Sequence, residues 1–380
     1  MRLYAVALLC LPILTIPIQA QWDLQDSHTT ANLRGIHNVG GGVAWASGTN
    51  GTVLRTEDGG YIWQTCATPP EAEHLDFRGI QAFDENTAIV MSSGKGDLSR
   101  LYKTTDGCRT WELVFTNPDK DGFWDAIVMY DHGRGWLLGD PVQGRFVVGE
   151  VSNGGRSVDF LRTTEGETNV SAPRESSGRG AFAASNSTMA LPPSSHISHQ
   201  KRTFNVPCEY AVAWFGTSGP GGARVFRFYQ ELPQCSDYGM GEWASSEVPT
   251  KGDVATAGVF SLAAADDDRL VAVGGDYLKP NDSTGTAAFT ADGGKTWTAA
   301  ATSPHGYRSA VAYDATTKTW ITVGPNGTDI STDDGKNWRA LKPKPNQPVD
   351  ADKNWNALSL PFVVGPKGRI GKLRDDGLKP

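Results

Sequence analysis

The chain has few charged residues, and its acidic residues outnumber its basic ones. Its 380 residues include 35 Lys and Arg against 42 Asp and Glu, which gives a net charge of −7. A balance of this sign disfavours a protein that binds nucleic acid without sequence preference. Beyond an apolar stretch from Leu3 to Ile18, no apolar run approaches the length that a membrane-spanning helix needs. No segment shows a convincing helical period, so the sequence predicts an all-β protein.

Residue patterns that mark common catalytic and metal sites are also scarce. The sequence has no Cys-x-x-Cys pair, and its cysteine spacing matches no zinc pattern. Its seven histidines suggest no Ser-His-Asp set. His196 and His199 lie close together, but no carboxylate stands beside them. We therefore expect neither a metal nor a cofactor.

Residues 1–20 have the features of a secretory signal peptide. One Arg precedes the apolar run, and the small residue Ala20 stands at the expected cleavage position. A membrane anchor is the alternative, but Pro12 and Pro17 interrupt a span that is barely long enough. The sequence therefore predicts that residues 21–380 form one mature domain, secreted or exported to a periplasm or lumen.

Four cysteines remain in the predicted mature chain. An even number of cysteines in an oxidising compartment favours two disulfides. Of the three possible pairings, we expect Cys66–Cys108 and Cys208–Cys235.

An eight-residue motif recurs with a hydroxyl residue, an aspartate, a glycine and a tryptophan at fixed spacing. It reads TEDGGYIW at 56–63 and returns as TTDGCRTW (104–111), TADGGKTW (290–297) and STDDGKNW (331–338). Each copy belongs to a longer unit of short apolar strands separated by Gly, Asn and Asp turns. The spacing of the units is roughly 44 to 56 residues, except for one stretch of about 79. The units begin near residues 33, 77, 123, 178, 258, 307 and 354.

This period, with about four strands in each unit, is typical of a β-propeller blade. The sequence predicts a seven-bladed propeller, and the long fourth unit leaves six or eight blades open. The last unit ends after its third strand, near Leu373, and Trp22 matches the outer-strand tryptophan of other units. We expect the N-terminal strand to complete the last blade, because a closed ring has no free sheet edges.

The repeated motif is compatible with a cation loop, a phosphate-binding loop or a turn that the fold requires. A calcium loop needs more oxygen ligands and a distal Glu, whereas a phosphate loop needs a Lys and a following helix. The turn fits best, with aspartates that accept backbone N–H bonds, glycines at positive φ and tryptophans packed between blades. These structural roles fall on Asp58, Trp63, Asp106, Trp111, Asp292, Trp297, Asp333 and Trp338.

The motif resembles the Asp-box (BNR) repeat, whose consensus is Ser/Thr-x-Asp-x-Gly-x-Thr-Trp. Together with GWLLGDPVQGRFVV (135–148), GPGGARVFR (219–227) and VAVGGDY (271–277), the mature chain resembles the photosystem II stability/assembly factor-like family. The resemblance implies a seven-bladed propeller related in repeat type to sialidases and, in phototrophs, a lumenal assembly factor. It also implies an arginine patch that binds a partner.

The candidate site lies where propellers bind ligands, at the mouth of the central channel. Arginine recurs where four inner strands begin. These arginines are expected either to be solvated turn residues or to form a cationic ring for an acidic peptide or carboxylate. Nearby acids either neutralise them or form a polar site with a tyrosine, and the glycine-rich turn 216–224 is a further candidate binding loop. The candidates are Arg34, Arg78, Asp125, Asp140, Arg179, Asp276, Tyr277 and Arg308.

The sequence favours a non-catalytic, exported binding or assembly propeller. We expect a monomer that recognises a protein segment or a small acidic ligand. The alternative is an extracellular sialidase-like glycoside hydrolase or lyase. That alternative lacks an Arg-Ile-Pro motif before the first repeat, and no Glu obviously pairs with Tyr277.

Overall fold

The computed structural model describes residues 21–161, 171–193, 209–231, 241–341, 348–374 and 377–378. These residues form seven four-stranded sheets, which are the blades of a propeller. The prediction of a seven-bladed, all-β propeller is confirmed. Within the described ranges, no helix has the length and apolar character needed to cross a membrane. The predicted signal peptide, Cys208 and Cys235, and His196 and His199 lie outside these ranges.

The strands of each blade pair antiparallel with their neighbours. The N-terminal strand β1 (Trp22–Gln25) belongs to the last blade. Blade 1 contains β2 (Leu33–Gly40), β3 (Val43–Gly48), β4 (Val53–Thr56) and β5 (Gln64–Thr65). Blade 2 contains β6 (Phe77–Ala82), β7 (Ala88–Ser92), β8 (Arg100–Thr104) and β9 (Glu112–Thr116). Blade 3 contains β10 (Trp124–Met129), β11 (Gly135–Val142), β12 (Arg145–Ser152) and β13 (Ser157–Phe160).

The remaining blades follow the same order. Blade 4 contains β14 (Met189–Ala190), β15 (Glu209–Gly216), β16 (Arg224–Glu231) and β17 (Gly241–Glu247). Blade 5 contains β18 (Ala257–Ala264), β19 (Leu270–Asp276), β20 (Ala287–Thr290) and β21 (Thr298–Ala299). Blade 6 contains β22 (Ala310–Asp314), β23 (Thr319–Gly324), β24 (Gly327–Ser331) and β25 (Arg339–Leu341). Blade 7 contains β26 (Ala357–Ser359), β27 (Phe362–Val364) and β28 (Ile370–Leu373), and β1 is its fourth strand. The 3-10 turns are Gly96–Leu98, Asn153–Gly155 and Asn186–Thr188.

The ring is closed by β1, as the sequence predicted. This strand pairs antiparallel with β28, so that Trp22 lies opposite Leu373. Trp22 is fully buried, its ring lies 6.0 Å from that of Trp355, and its Nε1 donates to Thr328 Oγ1 of blade 6 at 3.0 Å. The first strand of the domain is thus bonded to both of the last two blades.

The core lies between the blades. The second strands β7, β19 and β23 are buried along their whole length, because a neighbouring blade covers each face. They are therefore almost continuously apolar instead of alternating, as is usual for strands covered on both faces. Tryptophans extend this packing outwards: Trp63 of blade 1 lies edge-on to Phe362 of blade 7, with ring centroids 5.5 Å apart.

The repeated motif forms the turn between the third and fourth strands of its blade. In the first copy, Thr56 Oγ1 donates to Asp58 Oδ1 at 2.8 Å and accepts from Gly60 N at 2.9 Å. Asp58 Oδ1 also accepts from Ile62 N at 3.0 Å, and Gly59 has a φ of 75°. The same hydrogen bonds recur around Asp106, Asp292 and Asp333. In each copy of the motif, the hydroxyl and aspartate side chains therefore stabilise the turn by bonding to its backbone.

A disulfide joins the first two blades. Cys66 follows β5 and is bonded to Cys108, which lies in the motif turn of blade 2. The predicted Cys66–Cys108 pair is confirmed.

Blade 4 departs from the predicted start near residue 178. Its inner strand is only Met189–Ala190. The residues before it, 180–188, which we call the channel segment, bond to four other blades or the loops beside them. Asn186 Oδ1 accepts from Ile127 N of blade 3 at 2.9 Å, and Ser187 Oγ lies 2.7 Å from Ser261 Oγ of blade 5. The segment also bonds to Arg78 of blade 2 and to the Ser309 carbonyl, just before blade 6. Since these four partners surround the axis, the segment fills the channel.

Candidate ligand-binding site at the channel mouth

Arg34 and Arg78 meet at one end of the channel. Each is the second residue of an inner strand, β2 and β6, and inner strands of consecutive blades begin at the same end of the ring. Arg78 Nε donates to Asp76 Oδ2 at 2.8 Å, and Arg34 Nε lies 3.7 Å from the same oxygen. Two guanidinium groups thus share one carboxylate, and together they keep a net positive charge. We call Arg34 and Arg78 the arginine pair.

The arginine pair is partly exposed, and its hydrogen-bonding capacity is only partly used. The side chains of Arg34 and Arg78 are 30% and 27% exposed. Burial, followed by the charge of Arg78, lowers the pKa of Arg34. Among the described residues, Arg34 Nε and Asp76 Oδ1 are buried without a hydrogen-bond partner. Buried polar atoms of this kind are typical of sites that a ligand or solvent completes.

Two acids lie behind the arginine pair. Asp125 occupies the corresponding position of β10 and is 1% exposed. Burial, together with the nearby charge of Asp140, raises its pKa well above the ordinary range, although Arg78 opposes this shift. Asp140, in β11, accepts from Ala181 N at 3.0 Å, and burial raises its pKa to about 6. At neutral pH, Asp125 therefore neutralises the arginines less than an ordinary surface aspartate would.

Aromatic rings form the other side of the mouth. Phe182 of the channel segment stacks on Phe260 of β18, with centroids 3.6 Å apart. Tyr277 lies edge-on to both rings, and Tyr307 lies edge-on to Phe260 at 4.8 Å. We call these four residues the aromatic wall. Phe260 and Tyr307 are buried, and burial raises the pKa of Tyr307. The accessible part of the wall lies beside the arginine pair, because Arg78 Nη1 donates to the carbonyl of Ala183, the residue after Phe182, at 3.1 Å.

Arg179 binds the backbone of the glycine-rich loop and is not paired with Arg34 or Arg78. Its Nε donates to the Gly222 carbonyl at 2.8 Å, and its Nη1 pairs with Glu175 at 3.0 Å. A further bond joins it to the Gly221 carbonyl. The side chain is only 10% exposed, so it holds the loop in place.

Arg308 is completely buried. Its Nε donates to Asp329 Oδ2 at 2.8 Å, and its Nη1 donates to Asn326 Oδ1 at 2.6 Å and to the Tyr307 carbonyl at 2.8 Å. Burial would raise the pKa of Asp329, but His305 and Arg308 together lower it. The four register-matched arginines therefore do not form a ring, because only Arg34 and Arg78 reach the mouth together.

The remaining sequence candidates lie at the aromatic side. Asp276 is 3% exposed and shapes the turn after β19, because its Oδ1 accepts from Leu278 N at 3.1 Å. Lys279 Nζ lies 3.8 Å from its other oxygen. Tyr277 is 45% exposed and belongs to the aromatic wall.

Sequence reasoning missed Asp76, Phe182, Phe260 and Tyr307. A signal for Asp76 existed, because it stands two residues before Arg78 in DFRGI, whereas the matching NLRGI of blade 1 has Asn32. The aromatic residues carry no such signal, since apolar rings occur throughout the inner strands and their loops. Their convergence follows from the channel segment, which brings Phe182 to blade 5.

No protein-family model and no curated protein matches the chain. Solved structures do resemble it. The structure of YCF48 bound to a D1 peptide shares 16% identity, covers 94% of this chain and 98% of its own, and has a TM-score of 0.56. YCF48 from Cyanidioschyzon merolae shares 17% identity over 94% of this chain and 100% of its own, with a TM-score of 0.54. The likeness is one of fold.

A third similar structure belongs to a longer chain. The extracellular domain of a putative one-component system from B. thetaiotaomicron shares 11% identity, with a TM-score of 0.53. The match covers 93% of this chain but 40% of that one. The same architecture thus occurs within longer chains.

Proposed function

We propose that this protein is an exported, non-catalytic, assembly-factor-like propeller that binds a protein segment or acidic ligand at the channel mouth. The observation that carries the proposal is the arginine pair around Asp76. Two cations share one carboxylate there, and a carboxylate of a ligand would balance the remaining positive charge. Guanidinium groups suit this task because their planar donors match carboxylate oxygens.

The shape of the mouth favours a segment that lies across it. The channel segment is bonded to inner strands around the ring, so a ligand cannot pass through the centre. A chain laid over the mouth would contact the arginine pair at one side and the accessible wall residues Phe182 and Tyr277 at the other. The fold likeness to YCF48, which was solved with a D1 peptide bound, supports a peptide as the ligand class.

Export is supported by two independent features. Residues 1–20 have the pattern of a signal peptide. The Cys66–Cys108 disulfide is of the kind that persists in oxidising compartments. Asp-box membership of the repeated turn is part of the same proposal, and it is supported by the hydrogen bonds of Asp58 and its counterparts.

Isothermal titration calorimetry tests the proposed site. The probes are short peptides blocked at both ends that carry glutamates, and matched peptides with Gln in their place. We expect the wild type to prefer the Glu peptide, and we expect the Arg34→Gln, Arg78→Gln double variant to lose this preference. Arg134→Gln is the control, because Arg134 is 56% exposed and precedes β11, at the opposite end of the strands. Equal binding of Glu and Gln peptides to the wild type would refute the proposal.

A further inference from the structure

An exposed apolar surface lies beside the aromatic wall on blade 5. Val254, Tyr277 and Leu278 are 43%, 45% and 67% exposed. They come from the loop before β18 and the turn after β19, which are joined by a bond from Tyr277 N to the Thr256 carbonyl at 3.2 Å. We call these three residues the apolar shelf. Adjacent exposed apolar side chains of this size commonly mark a contact surface.

The apolar shelf is held in a fixed shape. Asp276 accepts from Leu278 N at 3.1 Å, and its carbonyl accepts from Lys279 N at 2.9 Å. Tyr277 packs edge-on against Phe182 and Phe260. A surface that is already ordered loses little conformational entropy when a ligand binds.

The shelf is continuous with the arginine pair. Tyr277 contacts Phe182 of the channel segment, and the carbonyl of the next residue, Ala183, accepts a hydrogen bond from Arg78 Nη1 at 3.1 Å. The accessible surface therefore runs from a cationic end on blades 1 and 2, across Phe182 and Tyr277, to an apolar end on blade 5, while Phe260 and Tyr307 support it from beneath. Because the shelf begins where the wall ends, one ligand can contact both ends.

Two lysines close to the shelf in sequence each lie near an aspartate. Lys251 Nζ lies 2.6 Å from Asp282, and Lys279 Nζ lies 3.8 Å from Asp276. Each of these lysines has its own aspartate, whereas the two arginines share one, so the arginine end attracts an acidic group of a ligand more strongly than the shelf does. A ligand should therefore place its acidic group at the arginine pair and its apolar group at the shelf.

We infer that the ligand is an extended peptide segment that carries a carboxylate and, a few residues away, a bulky apolar side chain that packs on Val254, Tyr277 and Leu278. This inference rests on the proposed function and adds a second determinant of specificity to it. A small acidic molecule would use only the arginine pair. A peptide is the class that combines both groups at a distance that can vary with sequence.

Blocked synthetic peptides test the inference by calorimetry. Each probe has one Glu and one Phe separated by one to four glycines, and matched probes replace Phe with Ser or Glu with Gln. At one spacing we expect the Phe probe to bind the wild type about tenfold more tightly than the Ser probe, since its ring is partly buried. The Val254→Ser, Leu278→Ser double variant should reduce this ratio to below about threefold and leave the Glu preference unchanged.

Controls separate the two hypotheses. Ile62→Ser is the matched control, because Ile62 is 60% exposed and lies in the motif turn of blade 1, away from the shelf. It should keep the Phe preference, and thermal melts should show that all variants fold. The inference would be overturned if the Phe and Ser probes bound the wild type with equal affinity at every spacing while the Glu preference stood. It would also be overturned if the shelf variant kept the full difference in affinity between the two probes. If the wild type bound the Glu and Gln probes equally well, the proposed function would be overturned instead.

Discussion

Arg308 and Arg34 occupy matching positions in the sequence repeats, yet they have different surroundings. Arg308 is enclosed by Asp329, Asn326 and His305, which come from the loop before β22 and from β24 and the turn before it. Within the described ranges, the acid that pairs with Arg34 is Asp76, which it shares with Arg78. The position of an arginine in a repeat thus predicts which end of the ring it occupies. It does not predict which acid it meets, since the acid comes from another loop.

Replacing Arg308 should destabilise the fold strongly. Arg308→Met removes the guanidinium that pairs with the buried carboxylate of Asp329 and leaves His305 as its remaining ring partner. Breaking a buried pair in this way costs roughly 3–5 kcal/mol of unfolding free energy. Urea unfolding measures this cost, and adding Asp329→Asn should recover part of it. Arg34→Met is the control, with an expected cost below about 1 kcal/mol because Arg34 is partly exposed. Equal losses in the two single variants would contradict the structural assignment of Arg308.

Asp140 should make stability depend on pH. Its folded pKa of about 6 lies above its ordinary value, so its contribution is present at low pH and is lost as the pH rises through 6. Asp140→Asn, which keeps an acceptor for Ala181 N, should equal the wild type near pH 4. It should be more stable by up to about 3 kcal/mol at pH 8. Urea unfolding at several pH values measures the difference, and a difference independent of pH would refute the assignment.

At the scale of elements, the repeated turns were predictable and the inner strand of blade 4 was not. The turns repeat because each needs a side chain that bonds to its own backbone, and such local chemistry is visible in sequence. Residues 178–191 have the small and apolar composition of an inner strand, but most of them fill the channel. Both environments are buried, so composition cannot distinguish them. The aromatic wall was missed for the same reason, because it depends on this segment.

Asn186 should be the residue that fixes the channel segment to blade 3. Its side chain bonds to both the N–H and the carbonyl of Ile127. Asn186→Ala leaves these two backbone groups unpaired in the core, at a cost of about 2–4 kcal/mol. Ser187→Ala, which loses hydroxyl bonds to Ser185 and Ser261, should cost about 1–2 kcal/mol. Hydrogen exchange at the Ile127 amide should become faster in Asn186→Ala alone, and unchanged exchange would contradict this role.

At the scale of the whole molecule, the ring is held closed by contacts between distant parts of the sequence. The Cys66–Cys108 disulfide joins blades 1 and 2, and the channel segment bonds to inner strands around the axis. The closing strand β1 joins the first residues of the domain to blades 6 and 7. Closure was predictable because the last repeat lacks one strand and Trp22 supplies the missing tryptophan.

Trp22 should therefore contribute far more to stability than its neighbours in β1. It is fully buried against Trp355 and bonds to Thr328 of blade 6, so Trp22→Ala removes a core side chain and the bond between blades. A change of this kind costs about 3–5 kcal/mol. Leu24→Ala in the same strand is the matched control. Leu24 is 44% exposed, so its replacement should cost below about 1 kcal/mol. Urea unfolding of both variants under oxidising conditions compares the two costs. If they were equal, β1 would close the ring through its backbone pairing with β28 alone, and the buried tryptophan would not be what holds the first strand to the last two blades.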